Sequence, residues 1–145
     1  MTRIYTDGAN TWTHGDKGHA GIGVYIEPKI IFGRQESDGI KISRYIGIQT
    51  NNVAELLAIK VALIIASEIT GPIIICSDSA YSIGILTNRS WVAKKNIELV
   101  NDIRSMLDKM PQVLFEKTRG HSGIVGNEIA DQIAKEGKEW GIANE

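Results

Sequence analysis

The sequence predicts an α/β domain in which one mixed five-stranded sheet is flanked by helices. Three strand-like segments come first, and helical and strand-like segments alternate after them, in the order βββαβααβα. Consecutive strands favour an antiparallel meander, whereas strands separated by helices favour parallel pairing. The chain has 145 residues, 43% of them hydrophobic, which suits one domain with its own core. We therefore expect a single domain over residues 1–145, with about 141–145 as a tail without a fixed structure.

The first three strands are indicated by β-prone and alternating residues. Residues 3–6 form a β-prone run that stops at Asp7-Gly8, and residues 20–26 form a second run. The two glycines of this second run favour close approach of another part of the backbone. Residues 40–48 alternate between apolar and polar, which predicts a third strand with one face in water.

The second half of the chain alternates between helices and strands. Apolar residues recur at intervals of three and four over residues 53–69, which predicts a helix that Gly71-Pro72 ends. Residues 73–76 are a continuous apolar run, typical of a strand buried on both faces, and a short helix follows from about 79 to 86. The remaining predicted elements are a helix over 97–110, a strand over 113–115 and a last helix marked by Ile129, Ile133 and Ala134.

Charge, cysteine content and hydropathy exclude several classes of protein. With 16 basic and 17 acidic residues the net charge is −1, so any nucleic acid must be held by local contacts. A single cysteine, Cys76, excludes an intramolecular disulfide framework and a multi-cysteine zinc site. No apolar run approaches the roughly 20 residues of a membrane helix, and the N-terminus lacks the apolar region of a secretion signal. We expect a soluble, cytoplasmic protein with no membrane partner.

Four acidic residues stand at the ends of predicted elements, and each has a structural explanation when taken alone. Asp7 with Gly8 could form a turn, and Glu55 could complete a capping box with Asn52. Asp78 could cap the helix that follows it, and Asp131 could form an ion pair with Lys135, four residues later.

Taken together, the four acids favour a metal site. Open α/β sheets bind ligands beyond the carboxyl ends of their strands, where Asp7 and Asp78 are expected. Two carboxylates about 4 Å apart would repel by on the order of 4 kcal/mol, so a cluster of them requires cations. Oxygen ligands without cysteine select Mg²⁺ or Mn²⁺ over zinc. Two such ions about 3.5 to 4 Å apart suit phosphodiester cleavage.

Five segments carry a resemblance to a known family. They are YTDGA at 5–9, AGIGVYI at 20–26, QTNNVAEL at 49–56, CSDSAYSI at 76–83 and GHSGIVGNEIAD at 120–131. Together they resemble type 1 ribonuclease H over about residues 4–140, with the motifs in the family's order. The resemblance implies the ribonuclease H-like fold and an endonuclease that cleaves the RNA strand of RNA–DNA hybrids, leaving 3′-hydroxyl and 5′-phosphate ends.

The resemblance also implies roles for the acids and for one histidine. Asp7, Glu55, Asp78 and Asp131 would hold two Mg²⁺ ions, with Mn²⁺ as a substitute. His121, on a loop flanked by glycines, resembles the family's mobile histidine, which assists proton transfer or product departure. Histidine suits this role because its ordinary pKa of about 6.5 lies near neutrality, although a plain polar loop histidine is the alternative. We interpret His14 and His19 as solvated loop residues.

The partner implied by the resemblance is an RNA–DNA hybrid, and we expect the protein to be a monomer. Thr50, Asn51 and Asn52 match the segment that contacts the backbone of the hybrid near the cut. Asn51 and Asn52 could also serve as helix caps, and the two roles are compatible. Asn127 fits a further backbone-contact position.

The sequence departs from the family pattern in two loops. Many relatives carry a long basic protrusion with several tryptophans, which here is reduced to residues 87–96 with Trp91, Lys94 and Lys95 remaining as candidate substrate contacts. We predict weaker and more salt-sensitive hybrid binding, although these charges could equally form a solvated surface. The loop over residues 9–18 differs from the short turn of relatives, and we expect its Trp12 to pack against the sheet.

Three alternatives to a free-standing hybrid-cleaving enzyme are distinguishable. A non-catalytic hybrid-binding module is expected to lack one or more of the acids, and all four are present. A DNA-cleaving nuclease of the same superfold would not be expected to carry the GHSG and TNN segments. The chain could also be the C-terminal domain of a reverse transcriptase, but its Met1 and the absence of a linker favour a free-standing protein.

Overall fold

The computed structural model describes residues 1–12, 16–35, 38–119 and 123–144, with the backbone alone for residues 30 and 31. The predicted order of elements is confirmed, with one small hairpin added between the second and third long strands. In chain order the elements are β1 (Thr2–Asn10), β2 (Gly18–Ile26), β3 (Ile30–Ile31), β4 (Arg34–Gln35), β5 (Ile40–Gln49), α1 (Asn51–Ala66), β6 (Ile73–Ser77), α2 (Ala80–Thr87), α3 (Ile97–Asp108), β7 (Val113–Lys117) and α4 (Val125–Ala143).

The predicted mixed sheet is confirmed. Its strands lie in the order β5-β2-β1-β6-β7. β5, β2 and β1 form the antiparallel meander, and β1, β6 and β7 run parallel. The parallel pairing of β1 with β6 runs from Thr2 opposite Ile73 to Tyr5 opposite Cys76, so β1 continues beyond the last β6 partner.

Two hydrophobic clusters hold the helices on opposite faces of the sheet, because successive strand residues point to opposite faces. Ile4 of β1 belongs to the larger cluster, which includes Leu56, Ile59 and Leu63 of α1. Tyr5, the next residue, belongs to the smaller cluster with Ala130 and Ile133 of α4. The acidic residue Asp7 follows Tyr5 by two positions and therefore lies on the α4 face.

Gly21 and Gly23 of β2 allow the close approach of another part of the backbone that the sequence predicts, and this part is α4. A Cβ atom at Gly23 would lie 2.3 Å from the carbonyl oxygen of Ala130, and one at Gly21 would lie 2.4 Å from that of Ala134. The helix backbone therefore rests directly on the strand, and any side chain at these positions would displace it.

Several sequence predictions are corrected by the structure. Asp7 and Gly8 do not form a turn, because β1 continues to Asn10 and pairs them with Gly23 and Ile22 of β2. The β3–β4 hairpin was not predicted, because its strands have only two residues each. Helix α4 extends to Ala143, so residues 141–143 are helical rather than part of a tail.

The predictions for side chains of the β1–β2 region are also revised. His19 is not a solvated loop residue, since it lies in β2 and its Nδ1 is 2.8 Å from the hydroxyl of Tyr45. Trp12 lies against Gly18, yet 54% of its surface stays exposed, so it packs only in part. His14 lies outside the described residues. Within the described parts of the chain, no helix has the length and apolar character needed to span a membrane.

Candidate active site

Three carboxylates lie together beside the part of β1 that extends beyond its pairing with β6. Asp7 lies within β1, Glu55 lies in α1 and Asp78 follows the last residue of β6. One carboxylate oxygen from each of these residues lies within 4.8 Å of the others. We refer to Asp7, Glu55 and Asp78 as the acidic triad, and it could hold a metal ion.

The main chain of Gly8 joins two members of the triad. Its N–H donates to Oδ1 of Asp7 at 2.9 Å and to Oε1 of Glu55 at 3.1 Å. A Cβ atom at Gly8 would lie 2.7 Å from the backbone nitrogen of Glu55 and 2.8 Å from the Cβ of Ala54. Helix α1 thus rests on β1 at the one residue without a side chain, which places Glu55 beside Asp7.

Residues other than those expected cap the helices of the site. Thr50 is the N-cap of α1, and its Oγ1 accepts from the N–H of Val53 at 3.2 Å. The capping roles considered for Asn51 and Asn52, and the capping box considered for Glu55, are therefore wrong. Ser79 rather than Asp78 caps α2, because its Oγ accepts from the N–H of Ser82 at 3.1 Å.

Asp131 lies beside the triad on α4. Its Oδ2 accepts from Nζ of Lys135 at 3.0 Å, which confirms the predicted ion pair. It also lies close enough to Asp7 to raise the pKa of that carboxyl. The fourth acid therefore faces the same site while it remains more exposed than Asp7 and Glu55.

Burial and mutual repulsion raise the pKa values of Asp7 and Glu55. Asp7 and Glu55 are 5% and 4% exposed. Burial, with a contribution from the charges of Asp78 and Asp131, raises the pKa of Asp7 to about 7. Burial and the charge of Asp7 raise the pKa of Glu55 well above its ordinary value.

The triad fits a divalent cation. Oε2 of Glu55 is buried and has no hydrogen-bond donor among the described residues, so it is available as a ligand for a cation. Carboxylate oxygens are the ligands that Mg²⁺ and Mn²⁺ prefer. A cation would also remove the repulsion among the carboxylates.

The candidate substrate contacts fall into two groups. Thr50 and Asn51 are half-buried and Asn52 is exposed, all at the start of α1 and close in sequence to Glu55. Lys94 and Lys95 are exposed and line one shallow groove with Val53, so they lie next to this helix start. Trp91 is 47% exposed and packs its ring against Gly84. His121 lies outside the described residues.

The substrate contact predicted for Asn127 is not supported, because its side chain is 3% exposed. Its Oδ1 accepts from the hydroxyl of Thr118 at 2.9 Å, and its Nδ2 donates to the carbonyl of Arg119 at 3.2 Å. Asn127 therefore attaches the end of the segment before residue 120 to α4. Sequence reasoning missed this role because an asparagine in a motif carries no sign of which neighbours its amide will meet.

Two arginines at or near the loop after α2, Arg89 and Arg104, bind oxygens of the protein itself. Arg104 donates from Nη2 to the carbonyls of Ile85 at 2.6 Å and Trp91 at 2.9 Å. Arg89 donates from Nη2 to Asp108 at 2.8 Å. These bonds attach the shortened loop after α2 to helix α3.

Comparison with known proteins relates almost the whole chain to one family. The RNase H family model matches residues 1–139. The ribonuclease H of Schizosaccharomyces pombe is 34% identical over 92% of this chain, which spans 52% of that protein. The ribonuclease H of Caldicellulosiruptor saccharolyticus is 31% identical over 91% of this chain and 92% of its own length. The chain thus spans about half the length of the fission-yeast relative and nearly all of the bacterial one.

A solved structure has the same fold over nearly the whole chain. LC11-RNase H1, isolated from compost by a metagenomic approach, superposes with a TM-score of 0.75 at 26% identity, and 97% of each chain is covered. LC11-RNase H1 has also been solved in complex with an RNA/DNA hybrid, and that structure superposes with a TM-score of 0.69 at 24% identity, covering 94% of this chain and 98% of the other.

Proposed function

Because the chain belongs to the RNase H family, we propose that it hydrolyses the RNA strand of RNA–DNA hybrids and leaves 3′-hydroxyl and 5′-phosphate ends. The observation that carries this proposal is the acidic triad beside β1, in which a buried oxygen of Glu55 has no donor in the part of the chain that the structure describes. The solved complex of LC11-RNase H1 with an RNA/DNA hybrid supports the choice of substrate.

The four acids are the residues that would hold two Mg²⁺ ions, with Mn²⁺ as a substitute. When bound, two such ions activate a water and stabilise the oxygen that leaves in phosphodiester cleavage. The chain's own contribution is to bring the carboxylates together: Gly8 binds two of them through one N–H, and Lys135 orients Asp131. Burial of Asp7 and Glu55 keeps their oxygens in one arrangement, and Asp131 lies at the more exposed rim of the site.

The start of α1 supplies the groups that would contact the hybrid. The side chain of Thr50 is used in capping, whereas the amides of Asn51 and Asn52 retain donors for the backbone and the 2′-hydroxyl near the cut. Lys94 and Lys95 lie next to this helix start and, with Trp91, would contact the DNA strand. His121 would assist proton transfer or product departure, because its ordinary pKa lies near neutrality.

The proposal is tested by cleavage of one labelled RNA strand that is paired with DNA, paired with RNA or left single. Each substrate is incubated with Mg²⁺, with Mn²⁺ or with EDTA. We expect the hybrid alone to be cut, only with metal, and the new ends to be 3′-hydroxyl and 5′-phosphate. A double-stranded DNA of the same sequence is the fourth substrate, and its cutting in place of the hybrid would assign the chain to a different branch of nucleases.

The role of the triad is tested by Asp78→Asn, which keeps the size of the side chain and removes its charge. We expect the rate of hybrid cleavage to fall by at least about 100-fold, as for loss of other groups that stabilise charge at the reacting atoms. Asp38→Asn is the matched control, because Asp38 is exposed on the segment after the β3–β4 hairpin, outside the site. Unchanged cleavage by Asp78→Asn would refute the site, and tight hybrid binding without any cleavage by the wild type would favour a binding module.

A further inference from the structure

Asn10 links two segments that flank the acidic triad. It is the last residue of β1, three positions after Asp7, and it is half-buried. Its Nδ2 donates to the carbonyl of Gln49, the last residue of β5. Its Oδ1 accepts from the N–H of Trp12 at 2.6 Å. One side chain therefore holds both the loop that leaves β1 and the residue that precedes Thr50.

The hydrogen bond from Asn10 to Gln49 spans strand β2. β1 and β5 are not neighbours in the sheet, because β2 lies between them. Gln49 pairs with Gly18 of β2, and a Cβ atom at Gly18 would lie 3.0 Å from Oδ1 of Asn10 and 2.7 Å from the ring of Trp12. The absence of a side chain at Gly18 thus gives Asn10 the space to reach Gln49.

The link acts on the start of α1 rather than on the acids. Asp7 and Glu55 are joined independently of Asn10, through the N–H of Gly8 and the packing of α1 on Gly8. The carbonyl that Asn10 holds belongs instead to the junction between β5 and α1. Asn51 and Asn52 follow this junction directly, before the first helical turn is complete.

We infer that Asn10 is a positioning residue for hybrid binding, whose side-chain amide fixes Asn51 and Asn52 relative to Asp7. The inference rests on the proposed function, because it concerns how the same site holds its substrate. Removal of the link leaves the acids in place but frees the junction after Gln49. Substrate binding is therefore weakened more than the chemical step.

Two substitutions of Asn10 test the inference. Asn10→Asp keeps the oxygen that accepts from Trp12 and loses the donor to Gln49, and Asn10→Ala loses both bonds without adding a charge. We expect both to raise KM for the hybrid by about 3- to 10-fold, the range that loss of one hydrogen bond produces, with kcat changed less than about twofold. The same loss should appear in hybrid affinity measured by fluorescence anisotropy in an Asp78→Asn background.

Gln49→Ala is the matched control, because Asn10 binds the main-chain carbonyl of Gln49, which this substitution retains. It should leave KM unchanged, and circular dichroism melting should show that all variants are folded. A raised KM in Asn10→Asp alone would indicate repulsion of phosphate by the new charge and overturn the inference. A fall in kcat at constant KM would overturn it too, as would wild-type behaviour of both variants alongside active wild-type enzyme. A wild-type chain that neither binds nor cleaves the hybrid would instead refute the proposed function.

Discussion

At the scale of single residues, protons and metal ions compete for the same buried oxygens. Asp7 and Glu55 are both buried, and one N–H serves an oxygen of each. The remaining oxygen of Glu55 has no donor among the described residues. The ionised form of this pair is therefore costly until a cation enters, and its protonated form is favoured without one.

This competition predicts how the stability of the metal-free protein depends on pH. The pKa of Asp7 is raised to about 7 in the folded state from an ordinary value of 3.8, and the pKa of Glu55 is raised in the same direction. The folded state thus binds protons more tightly than the unfolded state, so this stabilisation is complete below about pH 4 and is lost as the pH rises through about 7. In EDTA, the melting temperature should fall over this range more in the wild type than in Asp7→Asn.

Addition of Mg²⁺ should counteract the loss of stability at high pH. Since the carboxylates must lose protons to bind a metal, Mg²⁺ should raise the melting temperature more at pH 8 than at pH 5. Thermal denaturation at both pH values, with Mg²⁺ or with EDTA, measures the difference. Equal stabilisation at the two pH values would show that the triad is not the metal site.

Asn127 allows a second prediction at this scale. Asn127→Ala leaves the carbonyl of Arg119 and the hydroxyl of Thr118 without their partner, which should lower the free energy of unfolding by about 1 to 3 kcal/mol. Because these residues precede the segment with His121, the rate of hybrid cleavage should fall as well. Urea denaturation and cleavage assays measure both effects. Gln132→Ala, on an exposed position of the same helix, is the control and should change neither quantity.

The residues of the site were predictable to different degrees. That Asp7, Glu55 and Asp78 meet could be predicted because the parallel strands β1 and β6 run toward the same edge of the sheet, where α1 begins. The roles of Asn10 and Asn127 could not be, because an amide can bind almost any backbone group and its partners are set by tertiary packing. The cap of α1 was assigned one or two residues too late, since Thr50, Asn51 and Asn52 are all acceptable cap residues.

At the scale of elements, the site depends on how closely two helices approach the sheet. Gly8→Ala would place a methyl group 2.7 Å from the backbone of α1, which must then move and take Glu55 with it. We expect a loss of about 1 to 3 kcal/mol in stability, as for other overpacked sites, and loss of most of the stabilisation by Mg²⁺. Denaturation with and without Mg²⁺ measures both.

Gly23→Ala is the matched variant on the opposite face. It displaces α4, which carries Asp131, and leaves the contact between Gly8 and α1 in place. It should lower stability by a similar amount and retain more of the stabilisation by Mg²⁺ than Gly8→Ala does. The reverse order would indicate that Asp131 matters more for metal binding than Glu55.

Elements with strong periodicity were predicted well, and their ends were not. The helical spacing of apolar residues identified α1, and the continuous apolar run identified β6. The dipeptide Asp7-Gly8 is a common turn signal, but here the strand continues because β2 pairs with it as far as Asn10. The beginning of α4 was less distinct because its first turn contains a glycine and no side-chain cap.

At the scale of the whole molecule, the net charge provides no overall electrostatic attraction to a nucleic acid. The net charge is −1, and Arg89 and Arg104 are bound to protein oxygens. We expect Lys94→Gln and Lys95→Gln each to weaken hybrid binding and to reduce the slope of log K against log salt by about 1. Titrations at several salt concentrations measure the slope. Lys109→Gln, at the far end of α3, is the control, and an equal effect there would show that the attraction is not local.

The attachment of the loop between α2 and α3 determines where this loop can vary in length. Arg104 donates to the carbonyls of Ile85 and Trp91. Because these acceptors are main-chain groups, the hydrogen bonds do not depend on which side chains stand at the two positions. These bonds therefore hold the last turn of α2 and the middle of the loop, while Val92, directly after Trp91, stays exposed. Extra residues inserted after Trp91 would leave both hydrogen bonds of Arg104 intact. A longer loop is therefore compatible with this scaffold and would extend the surface that carries Lys94 and Lys95.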